Sequence, residues 1–546
     1  MNFKLESELR VGQVVEIKGK KVVCRIFESK NGPFIFIDGE IIKNVSIGSY
    51  VIIPVGFNLI VGKIEGEYAV EKERRSSLYN EIELISRKIE ISILGTYENN
   101  IFTLGISNMP LINSDVYVAT KQFLDKIFIF NTNEKGEEEL SICIGKDIYN
   151  DLPITVSIEK LFANHIGIFG NTGSGKSNTL AYLYTKLFDT LKFNKKHEFI
   201  FLDYSNEYAK CFEQDKTLVN LGGDCLEKLY LPRDAVFNVE FWQALSSAAE
   251  KTHKPFIKDT IYEFNKKNNN IKNKLQQIID TNSELDKKCA NKINDYIEYI
   301  EEKENDFYRF YGCSLYIAIK KYGSSKTQYL DQSFWALLNR IEQQCMNLNK
   351  YVKFSQEDYS NIIVVNMNLL PLEDKLILSY LISNRFYKLF SERRSVNNTI
   401  NLIIDEAHKV LSLPRDGDNN TIKEYMLMRF EEYIKEGRKF GFYLTIASQR
   451  PSDISSMFLS QMHNYFVHRL VNQNDIDNLS NSISFLDETS FKMISSLKVG
   501  SCIYSGIAAK FPTIVQIPKL KDELSPVSNN VSITSGGVLK AKYDTL

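Results

Sequence analysis

Eight consecutive residues, Gly170-Asn171-Thr172-Gly173-Ser174-Gly175-Lys176-Ser177, follow the pattern Gly-x4-Gly-Lys-Ser. Glycines tolerate backbone angles that turn successive N–H groups inward, so such a loop, running into a helix N-terminus, can cradle the oxygens of a di- or triphosphate. Lys176 would reach the β- and γ-phosphates and the Ser177 hydroxyl would hold Mg²⁺. The flanks suit that chemistry. Apolar His165-Ile166-Gly167-Ile168-Phe169 reads as a strand before the loop, and Asn178-Thr179-Leu180-Ala181-Tyr182-Leu183 reads as a helix after it. Eight matched positions between strand and helix speak against a chance glycine turn. The expected cofactors are ATP and Mg²⁺, with Gly170 to Asn178 as the nucleotide-binding stretch.

Hydrolysis needs more than a cradle. Ile403-Ile404-Asp405-Glu406-Ala407-His408 places two carboxylates at the end of an apolar run. Asp405 suits an indirect, water-mediated hold on Mg²⁺, and Glu406, one residue further, can polarise the attacking water. Asp-Glu-Ala-His also suits a superfamily 2 helicase. More than 200 residues between Ser177 and Asp405, with no second helicase core after them, argue against that reading. Phe442-Tyr443-Leu444-Thr445-Ile446-Ala447-Ser448-Gln449-Arg450-Pro451 puts an amide, Gln449, at the tip of another apolar run. There it can sense the γ-phosphate, although a glutamine at a turn before proline is also commonplace, and the spacing alone leaves both readings open. An arginine at the γ-phosphate adds about 10³–10⁵ in rate. Arg438 is the leading candidate, with Arg429 and Arg450 behind it.

These groups need a frame of several domains, and 546 residues supply enough chain for two to four. Composition is that of an ordinary soluble globular protein, 43% hydrophobic and 25% charged. A net charge of −1 gives no global positive field, so any nucleic-acid contact must come from local patches or a ring that concentrates them. Eight scattered cysteines without a Cys-x2-Cys pair read as reduced thiols, with neither a zinc site nor a disulfide framework expected. The N-terminus does not read as a signal peptide and no apolar run reaches the roughly 18 residues of a membrane span, so a cytoplasmic location is expected.

Residues 1–145 read as short strands between glycine turns, suiting a small barrel. Examples are Val11 to Ile17, Val22 to Phe27, Phe34 to Ile37 before the hairpin signal Asp38-Gly39, and Tyr50 to Val55. Ile82 to Ile91 could continue the barrel or connect it onward. The default role of this part is docking or assembly. From 146 the pattern becomes buried-strand runs alternating with helical periods, the signature of a parallel sheet covered on both faces. Its candidate strands are Glu198 to Leu202, Asn361 to Val365, Ile400 to Ile404, Phe442 to Ala447 and Tyr465 to Leu470. The expected fold class is therefore α/β, its core divided into 146–232 and 356–520 by a helical insertion at 233–355. Charge runs in the insertion, such as Lys266 to Asn270 and Glu301 to Asn305, intersperse both signs or sit beside their opposites and read as solvated faces. The tail, 521–546, reads as extended or disordered.

In combination these stretches resemble the HerA-type hexameric translocases of the HerA/FtsK branch of RecA-like P-loop ATPases. The resemblance rests on Gly170 to Ser177, on Asp203-Tyr204-Ser205-Asn206-Glu207-Tyr208, on Asp405-Glu406-Ala407-His408, and above all on Lys435-Glu436-Gly437-Arg438-Lys439-Phe440-Gly441 leading to Ser448-Gln449-Arg450-Pro451. Lys251-Thr252-His253-Lys254-Pro255-Phe256 resembles the family's helical insertion, and the N-terminal strands are similar to its small HAS-type barrel. The resemblance implies a homohexamer with ATP at subunit interfaces and double-stranded DNA in the central pore. It implies Lys176 as phosphate binder, Ser177 and Asp405 at the magnesium site, Glu406 as catalytic base and Gln449 as sensor, with Glu207 near the nucleotide or interface. Two positions depart from the pattern. Asn206 stands where the family usually has glycine, which suits a left-handed turn because asparagine can adopt one. Lys435 stands where arginine is frequent, which removes a possible interface arginine.

Family members act with a separate effector, either a nuclease-like or a sirtuin-like NAD-hydrolysing protein, in DNA end processing or anti-phage defence. Three activities compete: a motor that moves duplex DNA and feeds or activates an effector, a ring scaffold whose nucleotide state sets effector assembly, and a substrate pump of a secretion or conjugation machine. The expected absence of a membrane span weighs against the last, and the motor ranks first.

Overall fold

The computed structural model describes residues 7–527 apart from 38, 72–84, 99–100, 107, 129–138, 195, 224–226, 249–250, 267–269, 282–284, 303–304, 324–329, 355–358, 394–397, 414–420 and 484–487. Most of the tail expected to be extended, residues 528–546, thus lies outside the described residues. The chain divides into two compact units. One comprises 1–191, 449–452 and 459–519, and the other 192–448, 453–458 and 520–546.

The first unit opens with a closed six-stranded barrel. Lys21–Ile26 pairs with Arg10–Lys18, which pairs with Asp115–Val118, then Tyr50–Val55, Asn58–Glu71 and Ile85–Glu98, and the last strand returns to Lys21–Ile26. All these pairings are antiparallel. Period-two alternation sends one set of side chains inward, among them Val11, Val22, Cys24, Ile53, Ile60, Ile89, Ile91 and Val116, and each large aliphatic so buried contributes about 1.5–3 kcal/mol. Of Ile82 to Ile91, the part from Ile85 onward belongs to the barrel, and 82–84 lie outside the described residues. Phe34–Ile37 and Glu40–Lys43 form the hairpin signalled by Asp38-Gly39.

The same unit holds a second set of strands in the order Pro153–Ser157, Ser141–Asp147, Thr513–Gln516, Ser501–Gly506, Asn464–His468, Ile166–Phe169. Only the final pair, Asn464–His468 with Ile166–Phe169, is parallel. The others are antiparallel. An all-parallel sheet was the sequence expectation, and this antiparallel ribbon departs from it. Ser501–Gly506 and Thr513–Gln516 are joined by a short turn, and a tight connection of that kind permits only antiparallel pairing.

The second unit matches the parallel expectation. Its strands run Phe442–Ser448, Thr399–Ile404, His197–Asp203, Ile362–Asn366, Lys216–Asn220, all in parallel register. Four of the five predicted strands lie here, and the fifth is Asn464–His468 in the first unit. Helices from Arg233–Val236 to Gln332–Tyr351 fill the segment read as an insertion. Several begin with the polar residue that a helix N-terminus needs: Asn238 accepts from Phe241 N–H, Asn305 from Phe307 and Tyr308 N–H, and Asp331 from Phe334 N–H. Phe237 anchors their core, its ring 4.4 Å from Phe264 and 5.1 Å from Phe310. Among the described residues no helix is long and apolar enough to cross a membrane.

Candidate active site

In the first unit the buried strand Ile166–Phe169 delivers the chain to Gly170, and the loop ends where helix Lys176–Thr190 begins, with Gly175 as its cap. Three backbone bonds and two left-handed glycines set the loop's shape. Asn171 N–H donates to Arg469 O at 3.0 Å, Ser174 N–H to Asn171 O at 3.1 Å, and Gly500 N–H to Ser174 O at 2.8 Å. Gly173 and Gly175 have φ of 76° and 110°. A Cβ on Gly175 would lie 2.8 Å from Gly500 Cα, whereas one on Gly173 would meet nothing within 4 Å. Left-handed glycines, the N–H groups of a helix N-terminus and the lysine that opens the helix make a donor set suited to an oxyanion. A triphosphate fits these residues on chemical grounds.

Two further groups belong to this cluster. Gln449 accepts a hydrogen bond from Thr172 Oγ1 at 2.5 Å, which brings the predicted amide onto the loop itself. His468, absent from the sequence reading, is completely buried at the end of the strand beside Ile166–Phe169. Its Nδ1–H donates to Ser501 O at 2.9 Å, so Nε2 accepts from Thr179 Oγ1, also at 2.9 Å. Burial, opposed by the bond to Ser501 and aided by the nearby Lys176 ammonium, pushes the imidazole down to about 4. A neutral histidine thus ties the first turn of the phosphate-loop helix to the Ser501 strand. Asn178 turns its side-chain amide to Pro518 O at 3.0 Å. Ser177 is half-buried at the start of the helix.

In the second unit Asp405 and Glu406 follow strand Thr399–Ile404, which lies between two parallel neighbours. Asp405 is 1% exposed and its Oδ1 accepts Glu406 N–H at 2.9 Å. Glu406 has φ 49° and ψ 45°, a left-handed conformation costing a non-glycine residue about 1–2 kcal/mol. Such strain concentrates where a side chain must be aimed. His408 Nδ1 lies 3.3 Å from Glu406 Oε2 and 3.3 Å from Ser448 Oγ, so imidazole and carboxylate are held together.

Asp203, at the end of the neighbouring strand, spends its carboxylate on the turn that carries Glu207. Oδ1 accepts Ser205 and Glu207 N–H at 3.1 Å, and Oδ2 accepts Tyr208 N–H at 2.9 Å. Burial raises its affinity for a proton, those three bonds oppose that, and the Asp405 charge adds to it. Asn206 has φ 59°, the left-handed conformation expected where the family pattern has glycine. Arg438 is exposed in the turn Gly437–Phe440, which caps helix Thr421–Glu436. Arg429 is engaged within the chain, 2.6 Å from Glu432 and 3.0 Å from Glu240. Arg450 is exposed. The structure thus gathers the loop, Gln449 and His468 in one unit, and Asp405, Glu406 and His408 in the other.

Residues 142–448, more than half of the chain, match the family described as "Helicase HerA, central domain". A DNA double-strand break repair helicase HerA of Sulfolobus acidocaldarius is 26% identical over 78% of this chain and 76% of its own length. The protein of the same name from Saccharolobus solfataricus is 24% identical over 88% and 89%. A probable helicase of Methanocaldococcus jannaschii is 23% identical over 91% and 96%. Among solved structures, VirB4 of Thermoanaerobacter pseudethanolicus aligns with a TM-score of 0.49 at 14% identity, covering 72% of this chain and all of that one. With its phosphate loop, acidic strand end and barrel in the expected order, the chain belongs to the HerA helicase family and is a P-loop ATPase of helicase type.

Proposed function

We propose that the protein is an ATP-driven homohexameric translocase of double-stranded DNA that works with a separate effector, nuclease-like or sirtuin-like, in DNA end processing or anti-phage defence in the cytoplasm. The observation that carries the reading is the phosphate loop braced by Gly500 and His468, in a chain whose relatives are named as DNA double-strand break repair helicases. Lys176 and the loop N–H groups bind the phosphates, and Ser177 with Asp405 would hold Mg²⁺, which when bound offsets phosphate charge. Glu406 takes the proton of the attacking water, with His408 fixing its carboxylate. Gln449 reports the state of the γ-phosphate through Thr172. Arg438, exposed at a turn, acts on the nucleotide of a neighbouring subunit. The barrel, residues 1–145, serves assembly.

The test is the ATPase rate of particles of known mass, with and without linear duplex DNA, alone and with the protein encoded by the neighbouring gene. A hexamer stimulated by duplex DNA supports the motor. A hexamer indifferent to DNA but coupled to the neighbour's enzyme replaces the motor with a nucleotide-gated scaffold.

A further inference from the structure

The helical segment of the second unit contains a cavity of about 130 Å³ between helices Lys287–Glu302, Asp306–Ile317 and Gln332–Tyr351. Close-packed interiors leave few voids larger than a single water, so a recess of this size, with exposed Asp295 on its lining, is room for a guest. Its walls are not those of an ordinary apolar gap. They carry four phenol rings, Tyr296, Tyr299, Tyr308 and Tyr311, and two carboxylates, Asp295 and Glu342.

The rings are held in place. Tyr299 and Tyr308 lie 4.7 Å apart between centroids with their hydroxyls 2.6 Å from each other, and Tyr296 and Tyr311 lie 6.0 Å apart edge to face. Gly312 stands inside helix Asp306–Ile317 where a Cβ would come 2.1 Å from Tyr296 Oη, so the helix carries a glycine in its interior that makes room for that ring. Charge then selects the guest. Among the described residues of the wall the one cation is Lys292, whose ammonium lies 2.9 Å from Glu342 and 6.0 Å over the Tyr311 ring. Asp295 is exposed on the same lining and forms no ion pair among the described residues. With Tyr311 already facing the Lys292 ammonium, one uncompensated carboxylate and the three remaining rings favour a single further positive charge. At about 30 Å³ per water the space holds roughly four waters, the size of a trimethylammonium head.

We propose that this cavity binds a quaternary ammonium group, the tyrosine faces supplying the attraction and Asp295 the counter-charge. The group could arrive on a free small molecule such as choline or on a trimethyllysine side chain of a protein, and both present the same head.

The test is calorimetric titration of the full chain with choline, with its neutral carbon isostere dimethylbutanol, and with acetyl-trimethyllysine amide. Choline is expected to bind saturably and at least about tenfold more tightly than the isostere, because only the cation gains from the ring faces. Tighter binding of the lysine derivative than of choline identifies a modified side chain as the source, and the reverse identifies a free ligand. Tyr299→Leu, which keeps an apolar wall but removes a π face, is expected to weaken choline by about five- to tenfold. Tyr299→Phe keeps the face and removes the hydroxyl that meets Tyr308, so it should bind as the parent does. Equal binding of choline and its isostere, no saturable binding of any of the three, or a Phe variant that loses binding with its fold intact would each overturn the proposal.

Discussion

Replacing Gly175 by alanine separates the two reasons for glycine in the phosphate loop. At φ 110° an L side chain is strained by about 1–2 kcal/mol. The added Cβ would also stand 2.8 Å from Gly500 Cα and 3.1 Å from Gly500 N, both backbone atoms. Gly500 cannot retreat without loosening its 2.8 Å bond to Ser174 O, a loss of about 0.5–1.5 kcal/mol. Together these place the loop about 2–3 kcal/mol from its phosphate-binding shape, or about 30- to 150-fold in nucleotide affinity. Gly173→Ala suffers the left-handed strain alone, since its Cβ would meet nothing within 4 Å, and should lose only about tenfold. The assay is titration of a fluorescent ATP analogue, with thermal melting to confirm that both variants fold. Equal losses at the two positions would show that the Gly500 contact does not shape the loop.

Lys176→Ala should abolish nucleotide binding, while Glu406→Ala should bind ATP normally and lose about 10²–10⁴ in turnover; unchanged turnover in the latter removes Glu406 as the base. His468, held neutral with its pKa down to about 4 against about 6.5 unfolded, binds its proton more readily in the unfolded chain, so stability falls as pH drops through that window. Between pH 7 and 5 this amounts to about 2 kcal/mol in urea unfolding, a loss that His468→Gln should flatten. Asn206, at φ 59°, should accept glycine within a few tenths of a kcal/mol, whereas Asn206→Val should cost about 1–2 kcal/mol, read by the same unfolding curves. Mixing Arg438→Ala with Lys176→Ala subunits should restore part of the ATPase if Arg438 acts across an interface, and no recovery at any ratio excludes that role.

The phosphate loop was legible because its chemistry requires contiguous residues at fixed spacing, and the parallel strands because burial on both faces makes them continuous apolar runs. Asn206 was legible as a left-handed turn through its departure from glycine. The antiparallel ribbon was not, because the pairing of Lys146 with Gln516 leaves no local trace in either segment. His468 escaped for the same reason, since the Thr179 hydroxyl it accepts from lies 289 residues away. Its one signal was position, a histidine closing an apolar strand. The demotion of Arg429 also required three dimensions, because Glu240, one of its two acidic partners, comes from a distant helix. The tyrosine cavity had no sequence signal, as tyrosines at helical spacing look like any amphipathic face.

The braces of the phosphate loop carry a consequence for how the protein is made. Gly500 holds Ser174, Ile517 holds Gly500, and Pro518 receives the Asn178 amide 340 residues downstream. At about 5–20 residues per second, a ribosome that has just finished the nucleotide motif needs roughly 20–70 s to supply those partners. Throughout that interval the nascent chain displays a complete motif without the contacts that shape it. The loop therefore gains its full set of braces only once residue 518 has emerged. Fragments from messages broken upstream of Gly500 carry the motif without its braces and should bind nucleotide less tightly than the full chain.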